Sequence, residues 1–198
     1  SGYYVIRCDL RGFGRSPKAP GSFTHFDDIA ALLRRLDVGS VTVIGASFGG
    51  AVAIDLALAY PELVSGLILV APALGGYRFT SAEMHRFFEQ EEEALAQGDL
   101  AAATELNVRM WVDGFDRRPE AVNDAVRIKV REMQYHIFAQ PDVAEMQEEG
   151  LEPPAIERLH TLTIPTLVLA GAHDAPEFRS IATLIARRIP QASVHMIA

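Results

Sequence analysis

Gly45-Ala46-Ser47-Phe48-Gly49 spells G-x-S-x-G, a pattern that can set a serine hydroxyl on a sharp bend between a strand and a helix. A bare match arises by chance in roughly 5% of chains of this composition and length, so the flanks carry the weight. Val41-Thr42-Val43-Ile44 reads as the strand before the bend, and Gly50-Ala51-Val52-Ala53-Ile54 opens the helix after it. On such a bend the serine takes a positive φ, and the backbone passes so close to itself that Gly45 and Gly49 are expected to be positions without room for a side chain. The Phe48 N–H, at the helix N-terminus, is the expected donor to an oxyanion forming beside Ser47. The competing reading is a plain strand-to-helix turn in which the serine only caps the helix. A dinucleotide-binding turn fails on spacing, because Ser47 stands where G-x-G-x-x-G needs its second glycine. Gly12-Phe13-Gly14 fails in the same way, with Pro17 in the third glycine's place.

The elements that must hold this bend follow from periodicity. Tyr3 to Cys8 is apolar and β-branched or aromatic, which predicts a buried strand, and the run Asp9 to Gly21 predicts a long loop. Thr24 with Asp27 resembles a capping box ahead of helically spaced Phe26, Ile29, Ala30, Leu32, Leu33 and Leu36. Ala51 to Tyr60 is helical up to Pro61, and Leu67 to Val70 is the next strand. Between Thr80 and His160 the sequence is acidic and helix-forming without a convincing strand, as expected of an inserted helical cap. Strand, helix and strand then return over Thr166–Ala170, Phe178–Ile189 and Ser193–Ile197. The expected class is α/β, a mostly parallel doubly wound sheet interrupted once, with core at 1–73, cap at 74–160 and core again at 161–198.

Composition removes several functions. A net charge of −8 without a dense basic cluster argues against nucleic acid as a partner. The lone Cys8 fits a reducing compartment, for which the cytoplasm is the default. No apolar run reaches the ~20 residues that span a bilayer, so no membrane partner is expected. Neither His-x-x-x-His nor paired cysteines occur, so no metal and no cofactor is expected. The expected partner is a small-molecule substrate.

Three segments together resemble the α/β-hydrolase family: Asp9-Leu10-Arg11-Gly12-Phe13-Gly14-Arg15-Ser16, Gly45 to Gly50, and Leu167 to Asp174. The resemblance implies an α/β-hydrolase sheet in which Ser47 is the nucleophile and Asp174 the acid of a catalytic triad. It also implies a histidine a few residues beyond the last strand, hence beyond Ala198, because His195 lies within that strand and His173 points away from Asp174. The remaining histidines, His25, His85, His136 and His160, read as surface or cap residues. In the family, three further strands and the loop with a second oxyanion donor precede the segment at Tyr3. The expected whole is therefore a chain of roughly 260 to 280 residues. Without a strand between those at Tyr3 and Val41, both would lose a shared neighbour.

The cap holds Met84, Phe87, Phe88, Met110, Trp111, Phe115, Met133, Tyr135 and Phe138. Met110 and Trp111 are the expected substrate contacts, against the alternative that all of these are the cap's own core. Glu89, Glu91, Glu92, Glu93, Glu145, Glu148 and Glu149 read as solvated helix faces, and Arg117-Arg118 as surface residues or as receivers of a substrate carboxylate. The implied reaction is hydrolysis of a small apolar ester, thioester or lactone through an acyl-enzyme. The alternatives are carbon–carbon bond hydrolysis of ring-cleavage products and a non-catalytic ligand-binding homologue.

Overall fold

The computed structural model describes residues 2–114, 117–140 and 146–198. Phe115 and Glu145, named above, lie outside the described residues. A parallel sheet in the order β2-β3-β5-β6 carries the fold, built from Val41–Ala46, Val64–Val70, Thr166–Gly171 and Ala192–Ile197. Between β3 and β5 come the cap helices α3 (Ala82–Ala96), α4 (Leu100–Val108) and α5 (Asp124–Phe138). The α/β class with one helical insertion is what the alternation of periods predicts.

Local sequence explains most boundaries. Helix α1 (His25–Arg35) begins at Thr24, whose Oγ1 accepts the Asp27 N–H at 3.0 Å, and it has acids in its first turn and arginines in its last. Helix α2 (Phe48–Ala59) has no polar face, because β2 and β3 cover one side and α1 and the short α6 (Ala155–Arg158) pack elsewhere around it. Pro61 stops it and starts a 3₁₀ turn. Helix α7 (Pro176–Arg188) covers β5 and β6, burying Ile181 and Ile185 completely. Ile54 of α2, Leu67 and Leu69 of β3, Val168 of β5 and Leu159 just after α6 meet them in one core. By packing, the chain thus rejoins the core from Ala155 onward.

Two expectations fail. Tyr3 to Cys8 forms no strand, and Tyr3, Tyr4 and Val5 are at least 78% exposed. A β-prone composition supplies no ladder of its own, and among the described residues no strand pairs with this segment or with the outer edge of β2, where Ile44 is 69% exposed. Conversely, the insertion does contain a strand: β4 (Met146–Glu148) pairs in parallel with β1 (Gly21–Phe23). Glu148 is therefore a strand residue beside Phe23, and Glu149 donates its N–H to the Phe23 carbonyl, so neither lies on a helix face.

Candidate active site

Ser47 has φ 49° and ψ −119°, a conformation that costs a non-glycine residue roughly 1–3 kcal/mol and persists only where its surroundings enforce it. The enforcement is visible. Its N–H donates to the Val70 carbonyl at 2.9 Å, and its own carbonyl accepts the N–H groups of Gly50, Ala51 and Ala73. Ala71, between Val70 and Ala73 at the end of β3, also sits at positive φ, 41°. The bend is thereby laced to the neighbouring strand's end. The serine side chain caps nothing and the residue is exposed, which leaves the hydroxyl presented at the C-terminal edge of the sheet. At this edge the N-terminus of α2 presents N–H groups that lack intrahelical partners, Phe48 N–H being the first.

Crowding at the bend is real but displaced by one residue from the expectation. A Cβ on Gly45 would lie 2.3 Å from the Gly49 carbonyl oxygen, and one on Gly50 would lie 2.7 Å from Pro72 Cβ. A Cβ on Gly49 would meet nothing within 4 Å. Gly49 takes part through its main chain, which blocks Gly45, whereas the missing side chains that allow close packing are those of Gly45 and Gly50.

The D-x-R-G-x-G-x-S loop explains itself in the same terms. The Asp9 carboxylate accepts the Arg15 N–H at 3.0 Å and fills the space over Gly14, where a Cβ would fall 2.5 Å from it. The Ser16 hydroxyl donates to the Asp9 carbonyl at 2.8 Å. Arg11 spans outward to grip Asp28 of α1 with both guanidinium nitrogens at 2.8 and 2.6 Å, and it stacks over Phe23 at 4.6 Å. The folded loop delivers Phe13 to Phe48, ring centroids 6.1 Å apart.

His25 joins these rings, and here the surface assignment is wrong. Its side chain is 3% exposed, edge-on to Phe48 at 5.3 Å and to Phe23 at 5.1 Å, with Nε2 3.6 Å from the Glu148 carboxylate and Nδ1 buried without a hydrogen-bond partner. No local signal marks it, since its neighbours Phe13, Phe48 and Glu148 are remote in sequence. His85 is exposed, with Nε2 2.8 Å from the Phe79 carbonyl. His195 lies in β6, opposite Leu169, and none of the six histidines hydrogen-bonds Ser47.

Asp174 follows β5, and β3 lies between β5 and β2, so both candidate residues stand at strand C-termini on one edge of the sheet. The Asp174 carboxylate is half-buried and accepts the Gly171 N–H at 2.6 Å, which closes its own turn. Three residues on, Glu177 is buried, and its carboxylate accepts the Thr80 N–H at 2.7 Å and the Ser81 hydroxyl at 2.7 Å. Burial pushes the Glu177 pKa up, but these donors outweigh it and hold the group below the usual carboxylate range.

In the cap, Trp111 is 44% exposed and packs edge-on against Phe87 of α3 at 5.3 Å and Phe178 of α7 at 5.4 Å, its indole N–H donating to Asn107. It therefore bridges cap and core. Met110 beside it is half-buried. Arg117 donates to the Val112 and Asp113 carbonyls, which commits its guanidinium to ending the π turn Arg109–Asp113. Buried Asp113 is gripped by both ends of the Arg127 guanidinium. Among the described residues no group of acids, histidines and cysteine could hold a metal ion, and no helix is long and apolar enough to cross a membrane.

Comparison with known proteins agrees with this architecture. The alpha/beta hydrolase family matches residues 1–198. The chain is 32% identical over 200 residues to a poly(3-hydroxyalkanoate) depolymerase of Ectopseudomonas oleovorans, covering 98% of this chain and 66% of that protein. It thus spans about two thirds of that relative's length. Among solved structures it resembles a thermophilic esterase from Thermogutta terrifontis, with TM-score 0.62 and 27% identity, covering 96% of this chain and 69% of that one. It shares the fold of Est816, described as an N-acyl homoserine lactone degrading enzyme, with TM-score 0.67 and 23% identity, covering 96% of this chain and 72% of that one. A sheet with a strained serine at one strand's tip and a helical insertion before the last two strands, matched along its whole length, makes this chain a member of the alpha/beta hydrolase family.

Proposed function

We propose that the protein is a serine hydrolase that cleaves a small apolar ester, thioester or lactone through an acyl-enzyme, with Ser47 as nucleophile and Asp174 as the acid of the triad. The observation that carries the reading is Ser47 itself: an exposed residue, its hydroxyl without a hydrogen bond among the described residues, held at φ 49° by main-chain bonds to the adjacent strand. Strain maintained at this cost at a sheet's C-terminal edge is accounted for by chemistry at the hydroxyl. Ser47 Oγ adds to the substrate carbonyl while its proton passes to a histidine, and the Asp174 carboxylate steadies the imidazolium. The resemblance puts that histidine in the segment following β6. Negative charge developing on the carbonyl oxygen is received by the Phe48 N–H at the N-terminus of α2. The imidazolium returns its proton to the departing alcohol or thiol, and water then releases the acid by the same steps in reverse.

The activities named for the relatives, depolymerisation of a poly(3-hydroxyalkanoate), ester hydrolysis and lactone degradation, support an acyl-transfer chemistry. The partly exposed ring of Phe48, the residue after Ser47, with Phe13 against it, favours an apolar acyl group. In this reading the cap helices α3 to α5 roof the site, with Met110 and the free face of Trp111 toward the substrate. The test is a fluorophosphonate probe followed by peptide mapping, together with hydrolysis of p-nitrophenyl butyrate. The expected result is a label on Ser47 and loss of both label and turnover in Ser47→Ala. A folded protein that carries the segment following β6 and whose Ser47 ignores the probe refutes the reading and leaves a ligand-binding homologue in its place.

A further inference from the structure

The loop that bears Asp174 and the start of the cap meet in four hydrogen bonds to one carboxylate. Glu177 stands three residues beyond Asp174, in the first turn of α7, and its carboxylate collects the N–H and hydroxyl of both Thr80 and Ser81, donors 96 and 97 residues away. The Ser81 hydroxyl donates to Glu177 and at the same time accepts the Met84 N–H, so it is also the N-cap of α3. Along α3, fully buried Met84 and nearly buried Phe87 lead to Trp111, and Trp111 lies against Phe178, the residue after Glu177. Polar and apolar contacts thus close a circuit that starts and ends on two adjacent residues of one turn. On the other side of the same loop, the main chain of His173 approaches Gly114, where the π turn of the cap ends.

We infer that Glu177 is a positioning residue that fixes the cap and the Asp174 loop to each other, so that the placement of one sets the placement of the other. The inference rests on Asp174 being the acid of the triad. With Glu177 ionised, each donor of the Thr80–Ser81 turn finds an acceptor. An amide in its place keeps one oxygen for the Thr80 and Ser81 N–H groups but turns its N–H₂ toward the Ser81 hydroxyl, which must then accept instead of donate, and the negative charge that strengthened all of these bonds is gone. The loop would then be free to move by a fraction of an ångström, and displacement on that scale matters for a group that must orient a histidine.

The test uses Glu177→Gln, the milder Ser81→Ala, and the double variant. Trp111 is the only tryptophan in the chain, so its emission and its quenching by acrylamide report cap docking independently of activity. The expected result is red-shifted, more quenchable emission in Glu177→Gln. With p-nitrophenyl butyrate well below the melting temperature, kcat should fall by about ten- to a hundredfold, more than KM rises. In kcat the double variant should be little worse than Glu177→Gln alone, while its melting temperature falls further because α3 also loses its N-cap. Unchanged Trp111 emission overturns the inference. So does an unchanged kcat accompanied only by a lower melting temperature, which would make the contact purely structural. If the unmodified protein fails to label at Ser47, the functional reading falls by itself, and Trp111 emission still decides whether Glu177 holds the cap.

Discussion

Replacing Asp55 by asparagine should stabilise the protein at neutral and alkaline pH and do nothing in mild acid. Asp55 lies on α2 among buried residues, its Oδ1 is buried without a hydrogen-bond partner, and a Cβ on Gly75 would lie 3.7 Å from that oxygen. Burial raises its pKa from 3.8 to about 6, with the positive charge of Arg158 opposing the rise in part. Because the folded value is the higher one, the native state holds the proton longer than the unfolded chain. Its contribution to stability is full below the unfolded value and disappears as pH rises through about 6. A shift of this size corresponds to about 3 kcal/mol, and the remaining solvent contact together with the lost attraction to Arg158 reduces the expected gain to about 1–2 kcal/mol. For a domain of this size that is a rise in Tm of about 2–8 °C. Thermal melts of both proteins at about pH 4.5, 6 and 8 provide the measurement, since the difference must grow with pH in the window between the two pKa values. A constant difference, or an Asp55→Asn protein less stable than the parent at alkaline pH, would show that the carboxyl is solvated or paired in solution.

Two alanine substitutions four residues apart should have opposite signs. Gly45→Ala sets a Cβ against immovable backbone and should cost about 3 kcal/mol, whereas Gly49→Ala enters open space in the first turn of a helix and should gain about 0.5 kcal/mol, both read from urea denaturation. Arg11→Lys keeps the charge but loses the two-pronged grip on Asp28 and the stacking on Phe23. It should cost about 1 kcal/mol, and a lysine variant of unchanged stability would show that only charge matters there.

What could be read from the sequence was what is encoded locally. Thr24 announces α1 because its hydroxyl serves an N–H three residues on, and Pro61 ends α2 because it has no N–H to give. Ser47 was legible for a related reason: the demands of its bend fall within a window of a few residues, though the assignment of crowding to Gly49 instead of Gly50 shows that the window did not include Pro72. Tyr3 to Cys8 had the composition of a strand, but pairing is decided by neighbours and the sequence of the segment does not contain them. Strand β4 is the reverse case, three polar-flanked residues with no period to detect, ordered because Gly21–Phe23 lies alongside. His25 reads as a surface residue and Glu177 carries no signal at all because their partners are distant along the chain, Glu148 for one and Thr80–Ser81 for the other.

The insertion is tied down at both of its ends. At its beginning Thr80 and Ser81 are bonded to Glu177, and at its close β4 is zipped to β1 before α6 settles on α2. Between these moorings Trp111 and Gly114 also reach the core, at Phe178 and His173, whereas α5 packs on α4 and on the π turn Arg109–Asp113. On the reading proposed above, substitutions on α5 can therefore retailor the ceiling of the cleft, and with it the choice of molecule admitted, while Ser47 and Asp174 keep their spacing.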